Sequence, residues 1–311
     1  MTRVWLPYES VEAAEAAVGA HEGIEIDVYA SADAPVPKQT EDVVMIALPN
    51  QGGMGAWKKI DGSSLPGLRL VQLGSAGFDT MVPLIPEGVS LANAGGVHDT
   101  GTAEMAVALA LANGRGLDQY ARDQAAHVWN PFQGRSIADR HVLIFGYGRI
   151  GAAVERRLAP FEPASVTRVA RTAKTDPEVH ATTELSSLLP DADLVVITAP
   201  ASPETEGAFN AETLALLPDG ALVVNAGRGS IIDTDAMIAE AGRLRFALDV
   251  MDPEPLPADH PLWDAPGVTI APHVGGHATS FQPRYDKLIA EQLRRLSAGE
   301  PFTNIVAGPG A

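Results

Sequence analysis

The sequence predicts an α/β fold of two doubly wound parallel-sheet domains with a cleft between them. Short apolar runs alternate with Ala-, Glu- or Arg-rich segments, the pattern of strands exchanging with helices around a parallel sheet. The alternation occurs as two successive series, and 311 residues suit two cores better than one.

In the first series RVWLP, IEIDVYA, VVMIALP and LRLVQLG read as strands, and VSLANAG closes the set. The stretch from Val11 to Ala20 is rich in Ala and Glu and reads as a helix. TAEMAVALALANGRGL, from Thr102, reads as a long apolar helix entered through a capping region at Asp99–Thr102. HVLIFG opens the second series, followed by SVTRVA, DLVVITAP, ALVVNAG, RFALDV and VTIAPH. PRYDKLIAEQLRRLS, near the end, is amphipathic and helical. We place one domain at residues 98–281 and the other at 1–97 plus 282–311. Hinges are then expected near His98 and Thr279–Gln282.

Composition narrows the function. With 39 acidic against 22 basic residues the formal charge is -17, a field that repels nucleic acid and anionic lipid. No nucleic acid or membrane partner is expected, and an anionic ligand needs a local basic pocket. There is no cysteine, which excludes disulfides, thiolate catalysis and Cys-based metal sites; no metal is expected. A Pro and a Glu interrupt the start, MTRVWLPYES, so it does not read as a signal peptide. A cytoplasmic location is the expectation.

HVLIFGYGRIG ends a strand and opens a helix, with Gly146, Gly148 and Gly151 in a G-x-G-x-x-G pattern. Gly146 permits the tight turn, Gly148 lets a pyrophosphate approach the backbone, and Gly151 lets helix and strand pack closely. Arg149 and Ile150 lie between them at the helix start, where N–H groups meet phosphate charge. The domain is thus expected to be Rossmann-like and to bind a dinucleotide. NAD-preferring enzymes carry an acid at the end of the next strand for the ribose hydroxyls. Here SVTRVARTAK puts Ala170 at that place, followed by Arg171 and Thr172, a pair suited to a 2′-phosphate. NADP(H) is therefore the expected cofactor, with NAD(H) possible.

Downstream stand Arg228 in NAGRGS, Glu254 in DPEPLP and His273 in APHVGG. With a hydride donor nearby, these are the residue types a 2-oxo acid needs. An arginine holds the carboxylate and polarises the ketone, and a histidine gives a proton to the oxygen. The glutamate orients the histidine and favours its charged form. Asp233 and Asp235 read as caps of the following helix.

With loop and triad together, the chain resembles the D-isomer-specific 2-hydroxyacid dehydrogenases, of the glyoxylate/hydroxypyruvate reductase-like, NADP-preferring type. The resemblance covers nearly the whole chain and rests on LGSAGFDT, TAEMAVALALA, GYGRIG, NAGRGSIIDTDAM, LDVMDPEPLP and APHVGG. It implies an oxidoreductase acting on a small 2-oxo or 2-hydroxy acid, with Arg228 binding substrate, His273 as acid/base and Glu254 as its partner. It further implies that the N–H groups of Ala76 and Gly77 hold the substrate carboxylate. Asp249 matches a contact to the nicotinamide amide, Pro200 and Thr205 a segment along the cofactor, and Ala226 and Gly276 backbone contacts to its nicotinamide half. SIADRH replaces the Leu-x-Gly-Lys entry of many members, and Met251 stands where an aromatic is frequent.

Formate dehydrogenases of this superfamily carry a glutamine in place of Glu254, and phosphite dehydrogenases a lysine where Ala76 stands. A nucleotide-sensing, corepressor-like binding protein is the alternative of another class. The resemblance also implies a homodimer, with the helix from Thr102 and the YARDQAAHVWNPF arm as the interface. Trp129 on that arm packs either within its own subunit or toward a neighbour.

Overall fold

The computed structural model describes residues 2–311. The strands, in chain order, begin with β1 (Thr2–Leu6), β2 (Ile24–Val28), β3 (Val43–Ala47), β4 (Leu70–Gln72) and β5 (Ser90–Ala92). They continue with β6 (His141–Phe145), β7 (Ser165–Ala170), β8 (Lys174–Thr175), β9 (Glu178–Ala181) and β10 (Leu194–Ile197). The last are β11 (Leu222–Asn225), β12 (Arg245–Leu248), β13 (Val268–Ile270) and β14 (Ile305–Ala307). The helices are α1 (Val11–Val18), α2 (Gly53–Trp57), α3 (Asp99–Arg115), α4 (Leu117–Ala125) and α5 (Arg149–Leu158). After them come α6 (Leu185–Leu188), α7 (Ala211–Ala215), α8 (Thr234–Glu240) and α9 (Phe281–Ala298).

These elements form two compact units. One runs to His98 and resumes at Thr279–Ala311; the other is Asp99–Ala278. The first holds a six-stranded sheet in the order β14-β5-β4-β3-β1-β2. All its pairs are parallel except β14, which lies antiparallel to β5. The parallel strands are covered on both faces, which is why VVMIA can be apolar almost throughout. Helix α9 turns Tyr285, Ile289 and Leu293 inward at helical spacing. The Tyr285 hydroxyl donates to Leu48 O at 2.7 Å, and Gln292 Nε2 donates to Gln72 Oε1 at 2.8 Å. These bonds tie the end of the chain to the sheet its beginning built.

The second unit holds a sheet in the order β13-β12-β11-β10-β6-β7-β9-β8. It is parallel from β13 through β9, and β8 is a short antiparallel edge strand. LVVI and LVVN, in β10 and β11, are wholly buried at its centre. Helix α3 packs on this sheet through Ala103, Ala106, Val107 and Ala110.

The structure departs from the sequence expectation in three places. Helix α3 begins at Asp99, not Thr102, because Asp99 and Thr100 are already helical. The β8–β9 hairpin and β14 were not expected; strands of two to four residues carry no readable period. Asp233 caps α8, accepting from Ala236 N at 2.8 Å, and Asp235 lies in its first turn. Among the described residues no helix is long and apolar enough to cross a membrane.

Candidate active site

The loops after β11, β12 and β13, at the carboxyl ends of adjacent strands, carry Arg228, Glu254 and His273. Crevices at such ends are where doubly wound sheets bind ligands. His273 has φ of 52°, left-handed backbone that non-glycine residues seldom adopt. Its N–H donates to Asp249 O at 2.8 Å. The next two N–H groups, of Val274 and Gly275, donate to the buried Asp249 carboxylate at 2.8 and 2.9 Å. Asp249 therefore holds the turn that points the histidine. A Cβ on Gly275 would lie 2.6 Å from Asp249 Oδ2, so this close approach requires glycine.

The ring Nδ1 of His273 lies 2.7 Å from Glu254 Oε2. The other glutamate oxygen accepts from Met251 N at 3.0 Å. With a backbone donor on one oxygen and the ring on the other, the carboxylate has little freedom to turn. Among the described residues no protein group bonds Nε2 of His273. His273 and Glu254 line a cavity of about 440 Å³ together with Met251, Leu256 and Trp263.

Arg228 joins the same framework through its backbone. Asn225 Nδ2 donates to Arg228 O at 2.9 Å, and Asn225 Oδ1 accepts from Gly227 N at 3.0 Å. A Cβ on Gly229 would meet Met251 O at 2.0 Å, so the arginine loop lies directly against the residue that anchors Glu254. The guanidinium donates to Gly227 O at 2.7 Å and has no carboxylate within 4 Å among the described residues. It is available to a ligand anion.

The Gly-rich loop fits a dinucleotide phosphate on three observations. A Cβ on Gly146 would strike Ala199 N at 2.2 Å, and one on Gly151 would strike Gly146 O at 2.8 Å. Both glycines are dictated by packing. Gly148 has nothing within 4 Å of a built Cβ, so that side of the loop is open. Gly148 also starts α5 without a side-chain cap, leaving the Arg149, Ile150 and Gly151 N–H groups for a ligand. The loop itself is held down: Gly146 N and Tyr147 N both donate to Val169 O at 2.8 Å. The Tyr147 hydroxyl donates to Glu155 Oε2 at 2.5 Å, and Arg168 pairs with Glu155 while lying 5.5 Å over the tyrosine ring. Nothing in the sequence pattern singled out this cluster.

The remaining candidates fall as follows. Ala170 ends β7, and Arg171 and Thr172 follow it, both exposed. Arg171 stands close enough to Glu204 to help hold that carboxyl below its ordinary value, after the hydrogen bonds from Ser202 and the Glu204 backbone. Thr205 is buried, its hydroxyl donating to Pro200 O at 2.8 Å, so it braces the turn that presents Pro200. Ala226 is buried and Gly276 half-buried. In the first unit, the carbonyls around Ala76 and Gly77 are tied back. Ser75 Oγ donates to Gly77 O at 2.7 Å and Asn93 Nδ2 to Ala76 O at 2.8 Å. The Ala76 and Gly77 N–H groups have no protein acceptor among the described residues. His98, stacked on Phe281, lies 2.8 Å through Nε2 from Gly74 O and fixes the approach to this loop.

A family model described as the NAD binding domain of D-isomer specific 2-hydroxyacid dehydrogenase matches residues 107–275. A glyoxylate/hydroxypyruvate reductase B of Pectobacterium carotovorum is 31% identical, over 91% of this chain and 90% of its own. A D-3-phosphoglycerate dehydrogenase of Mycobacterium leprae is 32% identical over 76% of this chain, which spans only 47% of that relative's length. Among solved structures, a D-isomer specific 2-hydroxyacid dehydrogenase from Xanthobacter autotrophicus, in complex with NADPH and MES, superposes with a TM-score of 0.79. It has 29% identity and 98% coverage of both chains. An NADPH-dependent glyoxylate/hydroxypyruvate reductase from Sinorhizobium meliloti, in complex with NADP and sulfate, gives 0.79 at 26% identity, again with 98% coverage of both.

The loop brace has a pH signature. Arg168, and next Tyr147, hold the Glu155 carboxyl below its ordinary value against the opposing effect of burial. A carboxyl depressed in the folded state adds stability above its unfolded value and loses it as pH falls through the folded one. Glu155→Gln is expected to lower Tm at about pH 7, with the deficit shrinking below about pH 4. Thermal melts of both proteins across that range check it; a deficit unchanged in acid contradicts it.

Proposed function

We propose that this chain, which belongs to the D-isomer-specific 2-hydroxyacid dehydrogenase family, reduces a small 2-oxo acid with NADP(H) preferred and NAD(H) possible. The observation that carries the reading is the 2.7 Å pairing of His273 Nδ1 with Glu254, which leaves Nε2 to a substrate. The reductases from Pectobacterium and Sinorhizobium support glyoxylate or hydroxypyruvate as the substrate class. The phosphoglycerate dehydrogenases support it less, since this chain spans about half their length.

The dinucleotide, when bound, supplies the hydride. The N–H groups of Arg149, Ile150 and Gly151 would hold its pyrophosphate where Gly148 leaves the backbone open, and Arg171 and Thr172 would take the 2′-phosphate that an acid at Ala170 would repel. Pro200, Thr205, Ala226 and Gly276 would border its nicotinamide half. Asp249 would hold the carboxamide through Oδ2, which among the described residues accepts only the Gly275 N–H. Arg228 binds the substrate carboxylate with its planar fork, and the N–H groups of Ala76 and Gly77 bind it through backbone. His273, protonated, donates from Nε2 to the carbonyl oxygen as charge develops there; in the reverse direction it removes that proton. Glu254 keeps the ring oriented.

The corepressor-like, formate and phosphite readings are not favoured. A glutamate, not a glutamine, holds His273, and alanine stands at position 76.

The chain is proposed to act as a homodimer in the cytoplasm, where a diffusible nicotinamide pool is available. Leu117, Tyr120, Val128, Trp129 and Phe132 are exposed on α4 and the arm after it, and Trp129 is 94% exposed, so it packs on nothing in its own unit. Large apolar groups gathered in this way call for a partner surface.

Two measurements follow. A spectrophotometric panel of 2-oxo acids with NADPH and NADH is expected to show turnover of a small 2-oxo acid, faster with NADPH, and His273→Ala is expected to lower kcat about 10²–10⁴-fold. No turnover with any member, or near-normal turnover in the variant, would refute the reading. Sedimentation is expected to give twice the chain mass, and Trp129→Ser with Val128→Ser to shift it toward one chain; a monomeric wild type contradicts the dimer.

A further inference from the structure

At the amino ends of β10, β11 and β12, away from the Gly-rich loop, lies a second basic site. Arg135, Arg140 and Arg245 line a small pocket there with Asp193, Gly220 and Gly114. Its inner space of about 30 Å³ holds one or two water-sized groups.

The charges in this pocket do not balance. Asp193 is already engaged: Oδ1 lies 3.5 Å from Arg140, and Oδ2 accepts from His141 N at 3.0 Å. Arg135 and Arg245 have no carboxylate within 4 Å among the described residues. The Arg135 guanidinium makes no side-chain hydrogen bond and lies against the Gly220 backbone, where a built Cβ would come within 1.9 Å of Nη2. Gly220 has φ of 75° and bare backbone, so the position suits glycine twice over. Arg245 is half-buried and donates from Nη2 to Asn113 O, at the end of α3. Burial first, and the charge of Arg135 second, press its guanidinium toward losing its proton; only Asp118 opposes them. The last carbonyls of α3 offer at most about half a negative charge. Two guanidinium forks thus face one pocket in a chain of formal charge -17.

We infer that this pocket binds a compact tetrahedral oxyanion such as inorganic phosphate, through Arg135 and Arg245, independently of the cofactor loop. Such an anion accepts bidentate bonds from a guanidinium and removes the repulsion between the two. One or two of its oxygen atoms fill the inner space, while a larger ligand would not enter.

The test titrates inorganic phosphate, then sulfate, into the full chain at ionic strength held constant with sodium chloride, and follows Tm. Arg135→Gln is the variant. Arg135 is exposed, outside the proposed active site, and its loss leaves the fold intact, which unchanged 2-oxo acid turnover verifies. The Gly-rich loop is common to both proteins, so phosphate bound there cancels in the comparison. The expected result is a saturable rise in Tm with phosphate and sulfate in the wild type that is larger than in Arg135→Gln. Arg135→Lys should recover only part, because an ammonium lacks the fork. Equal rises in wild type and Arg135→Gln, or a wild-type rise no greater than chloride alone produces, would overturn the site.

Discussion

The Glu254 carboxylate is the fixed point of the second unit. One oxygen is held by Met251 N–H and the other by the His273 ring. Met251 in turn is pressed by Gly229, the neighbour of Arg228. A single carboxylate thereby sets the ring orientation and, through backbone, the place of the arginine loop. In the proposed role of His273, loosening either bond would cost precision, because proton transfer needs the ring nitrogen within hydrogen-bond reach of the reacting oxygen.

The histidine's own backbone adds to this constraint. A left-handed conformation at a non-glycine residue costs on the order of 1–2 kcal/mol. Here it persists because Asp249 takes the N–H groups of His273, Val274 and Gly275 through its carbonyl and carboxylate. Backbone strain of this kind clusters at functional sites, where the surrounding structure holds it in place. The same unit secures its phosphate loop differently, by pinning Tyr147 between Glu155 and Arg168 on the adjoining helix and strand.

Much of this was legible in the sequence. The strands of both sheets are runs of β-branched and aliphatic residues bounded by turn residues, and β3, β10 and β11 fall where such runs lie. The Gly-rich loop was legible because Gly146 and Gly151 answer a steric demand and Gly148 leaves the loop open. What stayed hidden is the tertiary use of ordinary residues. A lone Asp249 gives no sign that its carboxylate turns onto a loop 25 residues later. Arg135 and Arg245 lie far apart in sequence, and only the fold makes them neighbours. The β8–β9 hairpin and β14 were missed because strands so short are set by pairing partners and not by their own pattern.

The central claim is that a carboxylate-held histidine supplies the proton to a 2-oxo acid. The most direct measurement is kcat/KM for 2-oxo acid reduction in the wild type, His273→Ala, Glu254→Ala and the double variant. Two residues that act as one unit give losses that do not multiply. The account predicts that each single variant loses rate and that the double variant loses little more than His273→Ala alone. Losses that multiply in the double variant, or near-normal turnover in His273→Ala, would contradict it.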